Sequence, residues 1–208
     1  LDSVETLIKD YPNEPLLYNV GGACYAGLGQ LDAAVKSYER ALDIKPDYAE
    51  AHNNLGVTLQ GLSQLDDAVR SLEKALDIKP DYAEAHNNLG NAFNELGQLD
   101  DAVKSYKQAL DIKPDFADAH YNLGSVLKEL GQLDDAVKSY EQVLAIKPGY
   151  TEAFNNLGSV LEELGQLDTA VKSYEKILAI NPDFAEAHNN LGVTLEGLGQ
   201  LDEALKSY

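Results

Sequence analysis

The most constraining feature of the sequence is a short segment that recurs every 34 residues. Ala-Glu-Ala-His-Asn-Asn-Leu-Gly occupies residues 49–56, 83–90 and 185–192, and altered copies begin at Ala117 and Thr151. A repeat of this length predicts one supersecondary unit that contacts mainly its neighbours. We therefore expect one elongated array of repeats.

Each repeat is predicted to be a helical hairpin. Prolines that cannot continue a helix recur at the 34-residue spacing: Pro12, Pro46, Pro80, Pro114, Pro148 and Pro182. Midway between them lies Gly-Gln-Leu-Asp, with Ser63 once replacing the glycine, and this segment predicts the end of one helix and the start of the next. Four of these prolines are followed by an Asp, such as Asp47 three residues before Glu50; the pair resembles a capping box, and the Asp is expected to cap the first helix. No β-type alternation occurs, so the fold class is all-α.

Composition limits the possible partners and compartments. The chain has 16 basic and 35 acidic residues, a net charge of −19, which excludes nucleic acid and anionic membranes as favoured partners. The acidic surface has a second explanation, which is solubility alone. Cys24 is the only cysteine, so neither an intrachain disulfide nor a thiolate metal cluster can form, and we expect a cytoplasmic protein. The chain starts at Leu1 and contains no methionine, so it is expected to be a fragment of a larger protein.

The spacing of small and apolar residues recurs in every repeat, with local departures at Gly21, where other repeats have leucine, and at Val143 and Ile177, where alanine is usual. In the second repeat it is carried by His52, Leu55, Gly56, Leu59, Ala68, Leu72, Ala75 and Pro80. This pattern resembles the tetratricopeptide repeat (TPR) family, and the resemblance covers the whole chain. It implies an α-solenoid of helix-turn-helix units that form a right-handed superhelix, with extended peptides lying along its concave inner surface.

The resemblance gives the repeat boundaries. They are 15–48, 49–82, 83–116, 117–150, 151–184 and a truncated 185–208, here called repeats 1 to 6, and residues 1–14 are expected to hold the second helix of a preceding partial repeat. In that helix Val4 and Leu7 are predicted to pack. Position 1 is the first residue of each repeat.

The candidate binding residues lie on one side of the first helix of each repeat. At 100° per residue, positions 4, 7, 8 and 11 form the packing side, and positions 2, 5, 6, 9 and 13 form the opposite side, which we call the asparagine face. Position 6 carries Asn54, Asn88, Asn122, Asn156 and Asn190, and position 5 carries Asn53, Asn87, Tyr121, Asn155 and Asn189. The face also includes Asn91, Glu50 and Glu84.

A row of asparagines is suited to holding a peptide backbone. Each carboxamide offers a donor and an acceptor, and helices about 10 Å apart would meet an extended strand at roughly every third residue. The row is similar to that in the TPR superhelix of the O-linked N-acetylglucosamine transferases, where inner asparagines grip substrate peptides. The acidic face lacks lysine and arginine at these positions, which favours a neutral or basic extended partner. The alternative interpretation is that the asparagines bond to one another between repeats.

No residue pattern indicates catalysis. Neither a GxGxxG nor a P-loop motif is present, so we predict a non-catalytic protein-protein interaction scaffold without a cofactor. Histidines 52, 86, 120 and 188 share one position, but neighbouring copies about 10 Å apart are too distant to share a metal, so a packing role is expected. Two alternatives remain: end-to-end self-association through residues 1–11 and 195–208, or a substrate-docking arm of a transferase whose catalytic domain lies outside this sequence.

Overall fold

The computed structural model describes residues 2–208 and is helical throughout, with no strand in that range. The helices are α1 (Asp2–Asp10), α2 (Pro15–Gly27), α3 (Leu31–Ile44), α4 (Ala49–Gly61), α5 (Leu65–Ile78), α6 (Ala83–Glu95), α7 (Leu99–Ile112), α8 (Ala117–Glu129), α9 (Leu133–Ile146), α10 (Thr151–Glu163), α11 (Leu167–Ile180), α12 (Ala185–Gly197) and α13 (Leu201–Ser207). None of these helices is long and apolar enough to cross a lipid bilayer.

The helices pack as consecutive pairs, beginning with α2 against α3 and ending with α12 against α13. Each predicted repeat thus contains one pair, and the all-α solenoid class is confirmed. The chain forms two compact units: unit 1 (Leu1–Pro114), which holds α1 to α7, and unit 2 (Asp115–Tyr208), which holds α8 to α13.

The core combines small residues with one large side chain from each second helix. Tyr106 in unit 1 and Tyr140 and Tyr174 in unit 2 are at most 1% exposed. A Cβ atom added to Gly90 would lie 2.5 Å from the Tyr106 ring, so glycine at position 8 lets the tyrosine approach the first helix.

The turn between the two helices of each repeat has the predicted backbone. The glycines of Gly-Gln-Leu-Asp have φ between 71° and 75°, the left-handed conformation that ends a helix. Ser63 takes the same conformation, with φ 59°. The interpretation of this segment as a helix end is therefore confirmed.

The predicted aspartate caps are wrong. The first helices of repeats 2 to 6 begin after an aromatic residue, such as Tyr48 before α4, and that residue makes no side-chain cap hydrogen bond. Asp47 lies one residue too early to be the cap of α4, and the hydroxyl of the cap residue Tyr48 accepts from the Asn19 amide of the same repeat at 3.4 Å. In the second helices the Asp, for example Asp32 of α3, lies inside the first turn, where its charge favours the helix dipole.

The packing side of α1 also differs from the prediction. Leu7 is 43% exposed. Val4 and Ile8, one helical turn apart, lie instead 3.6 Å and 3.9 Å from the Cβ position of Gly21. Gly21 stands where other repeats have leucine, and the space that this leaves is filled by the Val4–Ile8 side of α1.

Candidate peptide-binding surface

The asparagine face differs in exposure from one position to the next. The acids at position 2, including Glu50 and Glu84, are exposed, and the position 6 asparagines are all half-buried. At position 5, however, Asn53 is only 6% exposed and Asn87 only 7%. The two asparagines in each repeat therefore do not present equivalent surfaces.

In unit 1, asparagines of neighbouring repeats bond to each other. The Asn54 amide donates to the Asn19 carboxamide oxygen at 3.1 Å, and the Asn88 amide donates to that of Asn53 at 2.9 Å. Asn53 in turn donates to Asn54 at 3.3 Å. Position 6 of one repeat thus reaches back to position 5 of the repeat before it, which is the inter-repeat bonding of the alternative interpretation.

Unit 2 keeps this arrangement with different partners. The Asn190 amide donates to Asn155 at 2.9 Å, whereas the Asn156 amide donates to the Tyr121 hydroxyl at 3.0 Å. Asn155 also donates to the Glu186 carboxylate at 2.9 Å. The remaining predicted residues of this unit, Asn122 and Asn189, are half-buried and exposed respectively.

The side chain at position 9 hydrogen-bonds to the buried tyrosine of its own repeat in repeats 3 and 4. The Tyr106 hydroxyl donates to the carboxamide oxygen of Asn91 at 2.8 Å. In repeat 4 the hydroxyls of Ser125 and Tyr140 lie 3.1 Å apart. Burial raises the pKa of Tyr106 and Tyr140 above the ordinary tyrosine value, so both hydroxyls remain protonated near pH 7.

Tyr121 gives unit 2 an aromatic cluster. Its ring is stacked on Tyr150 with centroids 5.3 Å apart and meets Tyr140 edge-on at 5.9 Å. Burial raises the pKa of Tyr150, with further contributions from Tyr121 and Glu152. The sequence carried a signal for this cluster, because Tyr121 is the single aromatic residue at position 5.

Lysines that the sequence analysis missed lie beside the acidic face. They occupy position 31, after the second helix. The Lys113 ammonium is 3.3 Å from the Glu84 carboxylate, and that of Lys147 is 2.9 Å from Asp118. Each of these side chains is roughly half exposed, so the pairs contribute little stability but lower the local negative potential.

Three of the histidines hydrogen-bond to the proline that precedes their helix. His52 and His86 each place Nε2 2.9 Å from the carbonyl oxygen of the proline six residues earlier, and His188 does the same at 2.8 Å. Tyr18 makes the equivalent bond to the Pro12 carbonyl at 3.0 Å. The packing role expected for this position is confirmed, since a tyrosine hydroxyl and an imidazole N–H serve it equally.

Helical hairpins that recur every 34 residues define a helical-repeat scaffold. The family model described as TPR repeat matches residues 22–63, 61–97, 90–131, 124–165 and 160–199. The chain therefore belongs to the TPR repeat family, whose repeats are generally protein-interaction modules.

Known proteins resemble the chain to different extents. The crystal structure of MamA protein superimposes with a TM-score of 0.74 at 30% identity, covering 84% of this chain and 96% of that one. PilF of Pseudomonas aeruginosa gives a TM-score of 0.81 over 93% of this chain and 88% of its own, but at 20% identity it supports the fold alone. The peroxisomal targeting signal receptor of Saccharomyces cerevisiae is 34% identical over 55 residues, which span 26% of this chain and 9% of the receptor.

Proposed function

We propose that the chain is a non-catalytic scaffold that holds an extended, neutral or basic segment of a partner protein along the asparagine face. The observation that carries this proposal is the remaining hydrogen-bonding capacity at position 6. A carboxamide has two N–H donors and an oxygen with two lone pairs. Asn88, Asn156 and Asn190 each use one N–H toward the preceding repeat and are half-buried. The second N–H and the oxygen are left for a ligand.

The inter-repeat bonds then have a positioning role. Asn53 fixes the Asn88 carboxamide by accepting one of its N–H groups. A side chain that is already held in one rotamer loses less conformational entropy when a ligand binds. On this proposal the buried asparagines at position 5 orient the carboxamides at position 6, and the position 6 carboxamides contact the peptide backbone.

Charge supports a neutral or basic partner. The acids at position 2 are exposed on this face, and only Glu84 and Asp118 among the described residues form ion pairs with a position 31 lysine. A basic segment gains attraction from the unpaired acids, and raised salt should weaken that part of the binding. The name of the yeast relative, a receptor for a targeting signal, is compatible with peptide recognition.

The test is a peptide selected on the wild-type chain from a random dodecapeptide library. The double variant Asn54→Ala with Asn88→Ala should weaken its binding at least tenfold by fluorescence anisotropy, because each lost hydrogen bond contributes about 1 kcal/mol. Gln108→Ala removes an exposed amide from the second helix α7 and is the matched control. Unchanged affinity in the double variant, or failure to select any peptide, would overturn the proposal.

A second candidate function is self-association, which we propose from exposed apolar side chains on and next to α13. Leu201, Leu205 and Tyr208 are 61%, 75% and 61% exposed. Apolar surface of this kind favours association with another protein surface. Light scattering should show mass increasing with concentration, and Leu201→Ser with Leu205→Ser should suppress the increase. A constant monomer mass in the wild type would rule this function out.

A further inference from the structure

The lysine at position 31 is a recurrent partner of the aromatic ring at position 34. The Lys45 ammonium lies 4.9 Å from the Tyr48 ring centroid, and that of Lys79 lies 4.7 Å from the centroid of Tyr82. In repeat 4 the same arrangement also includes the position 2 acid, since Lys147 is 5.5 Å from the Tyr150 centroid while pairing with a carboxylate. Repeat 4 therefore places its lysine between a ring and an acid, and repeats 1 and 2 place theirs over the ring.

Repeat 5 has the ring and the acid but not the lysine. Asn181 occupies position 31, Phe184 position 34 and Glu152 position 2. The Asn181 side-chain oxygen accepts from the backbone N–H of Asp183 at 3.4 Å, so this side chain is turned to its own loop. The Glu152 carboxylate accepts from the Thr151 hydroxyl at 3.2 Å, and none of the described residues forms an ion pair with it.

The asparagine row lies next to this place. Asn190 donates to Asn155, and Asn155 donates to Glu186, the exposed acid that follows Phe184 by two residues. Asn190 belongs to α12, whose N-cap residue is Phe184, so the two residues lie about 9 Å apart along the helix axis. A peptide held at Asn190 is therefore close to Phe184.

We infer that repeat 5 binds a lysine or arginine side chain of the partner segment at the place where repeats 1 to 4 carry their own lysine. The cation contacts the Phe184 ring on one side and the Glu152 carboxylate on the other. Cation–π contact and ion pairing both favour a basic side chain here over a neutral one. The inference rests on the proposed function, to which it adds the position that selects a charge.

Asn181→Lys is the discriminating variant. Lysine occupies this register in four other repeats, as at Lys147, so the substitution is compatible with the fold. The new ammonium should fill the place and compete with the ligand. Asn181→Gln keeps a neutral amide and is the matched control.

The probes are versions of the selected dodecapeptide that carry one arginine or one glutamine at each position in turn. On the wild type the best arginine peptide should bind about fivefold more tightly than its glutamine partner, a preference expected from an exposed cation–π contact with an added carboxylate. Asn181→Lys and Glu152→Gln should abolish this preference and leave the glutamine peptide unchanged, while Asn181→Gln should retain it.

The possible results distinguish a failure of the cation site from a failure of the proposed peptide binding. If arginine and glutamine peptides bind the wild type equally, or if Asn181→Lys weakens both to the same extent, the cation site is overturned while backbone binding stands. If Asn156→Ala with Asn190→Ala, the same double substitution in unit 2, binds every peptide as the wild type does, backbone binding by the asparagines is overturned there, and the cation site is overturned with it.

Discussion

Units 1 and 2 are built from the same repeat but offer different chemistry at position 5. In unit 1 this position carries Asn53, which is buried and bonded to the next repeat. In unit 2 repeat 4 carries Tyr121, whose hydroxyl accepts the same kind of bond while its ring stacks on Tyr150. The helices that carry these residues, α4 and α8, are both 13 residues long. A repeat can therefore exchange an amide for an aromatic cluster without moving its helix boundaries.

The closeness of the core tyrosine also distinguishes repeat 3 of unit 1 from repeat 4 of unit 2 and gives the largest predicted effect. A Cβ at Gly90 would lie 2.5 Å from Tyr106, whereas one at Gly124 would lie 3.0 Å from Tyr140. Overpacking costs up to about 3 kcal/mol, and exchanging glycine for alanine returns about 1 kcal/mol of helix propensity. Gly90→Ala should therefore lose about 2 kcal/mol of stability in urea unfolding followed by circular dichroism, and Gly124→Ala should lose much less. Equal losses would show that the tyrosines yield equally in both units.

The asparagine bonds are expected to matter more in unit 1. Asn53→Ala removes a side chain that is 6% exposed and is the acceptor of the Asn88 amide, so little water can take its place, and the loss should cost about 1.5 kcal/mol. Asn155→Ala, at a half-buried site where water can replace the lost acceptor, should cost about a third of that. Thermal unfolding of the two variants side by side measures the difference. A larger loss for Asn155→Ala would reverse the comparison.

The aromatic cluster can be tested by making unit 2 resemble unit 1. Tyr121→Asn removes a stacked and an edge-on ring contact, each worth about 0.5–1.5 kcal/mol, and regains an amide partner for Asn156. We expect a net loss of about 1 kcal/mol and a weaker near-ultraviolet circular dichroism signal. Tyr121→Phe, which keeps the rings but loses the hydroxyl, should retain that signal. If Tyr121→Asn is as stable as the wild type, an asparagine at position 5 stabilises the repeat as well as the aromatic cluster does.

Much of the architecture could be predicted because it depends on residues close in sequence. The 34-residue period, the prolines and the left-handed glycines fix each hairpin locally, and even Ser63 follows its register. The aspartate caps failed because the aromatic residue after the Asp takes the N-cap position, and at Tyr48 its hydroxyl accepts a hydrogen bond from Asn19, 29 residues earlier. The prediction that Leu7 packs failed for a similar reason. The side of α1 that packs is the one that faces Gly21, and the apolar pattern of the helix alone does not identify it.

The candidate surface was less predictable because its contacts join distant residues. A helical wheel places position 6 on one face, but it cannot show that Asn88 reaches an asparagine 35 residues earlier. The lysine beside each acid is similarly distant, since Lys147 meets a carboxylate 29 residues before it. The sequence alone therefore does not show what Asn181 replaces. The packed structure does, because repeat 4 places a lysine of the same register between a ring and an acid.

The smallest predicted effect is an alkaline one, and it compares the buried tyrosines of the two units. Burial raises the pKa of Tyr106, with the charge of Glu95 adding to it, whereas the Ser125 hydrogen bond opposes the rise at Tyr140. A folded-state pKa above the unfolded value means that stability is full below about pH 10 and is lost as the pH rises toward the folded pKa. At pH 10.5 the loss should be below about 1 kcal/mol per tyrosine. Tyr106→Phe should recover more of it than Tyr140→Phe in urea unfolding at pH 7 and pH 10.5. Equal recovery would mean that the hydroxyls of the two units are equally hard to ionise.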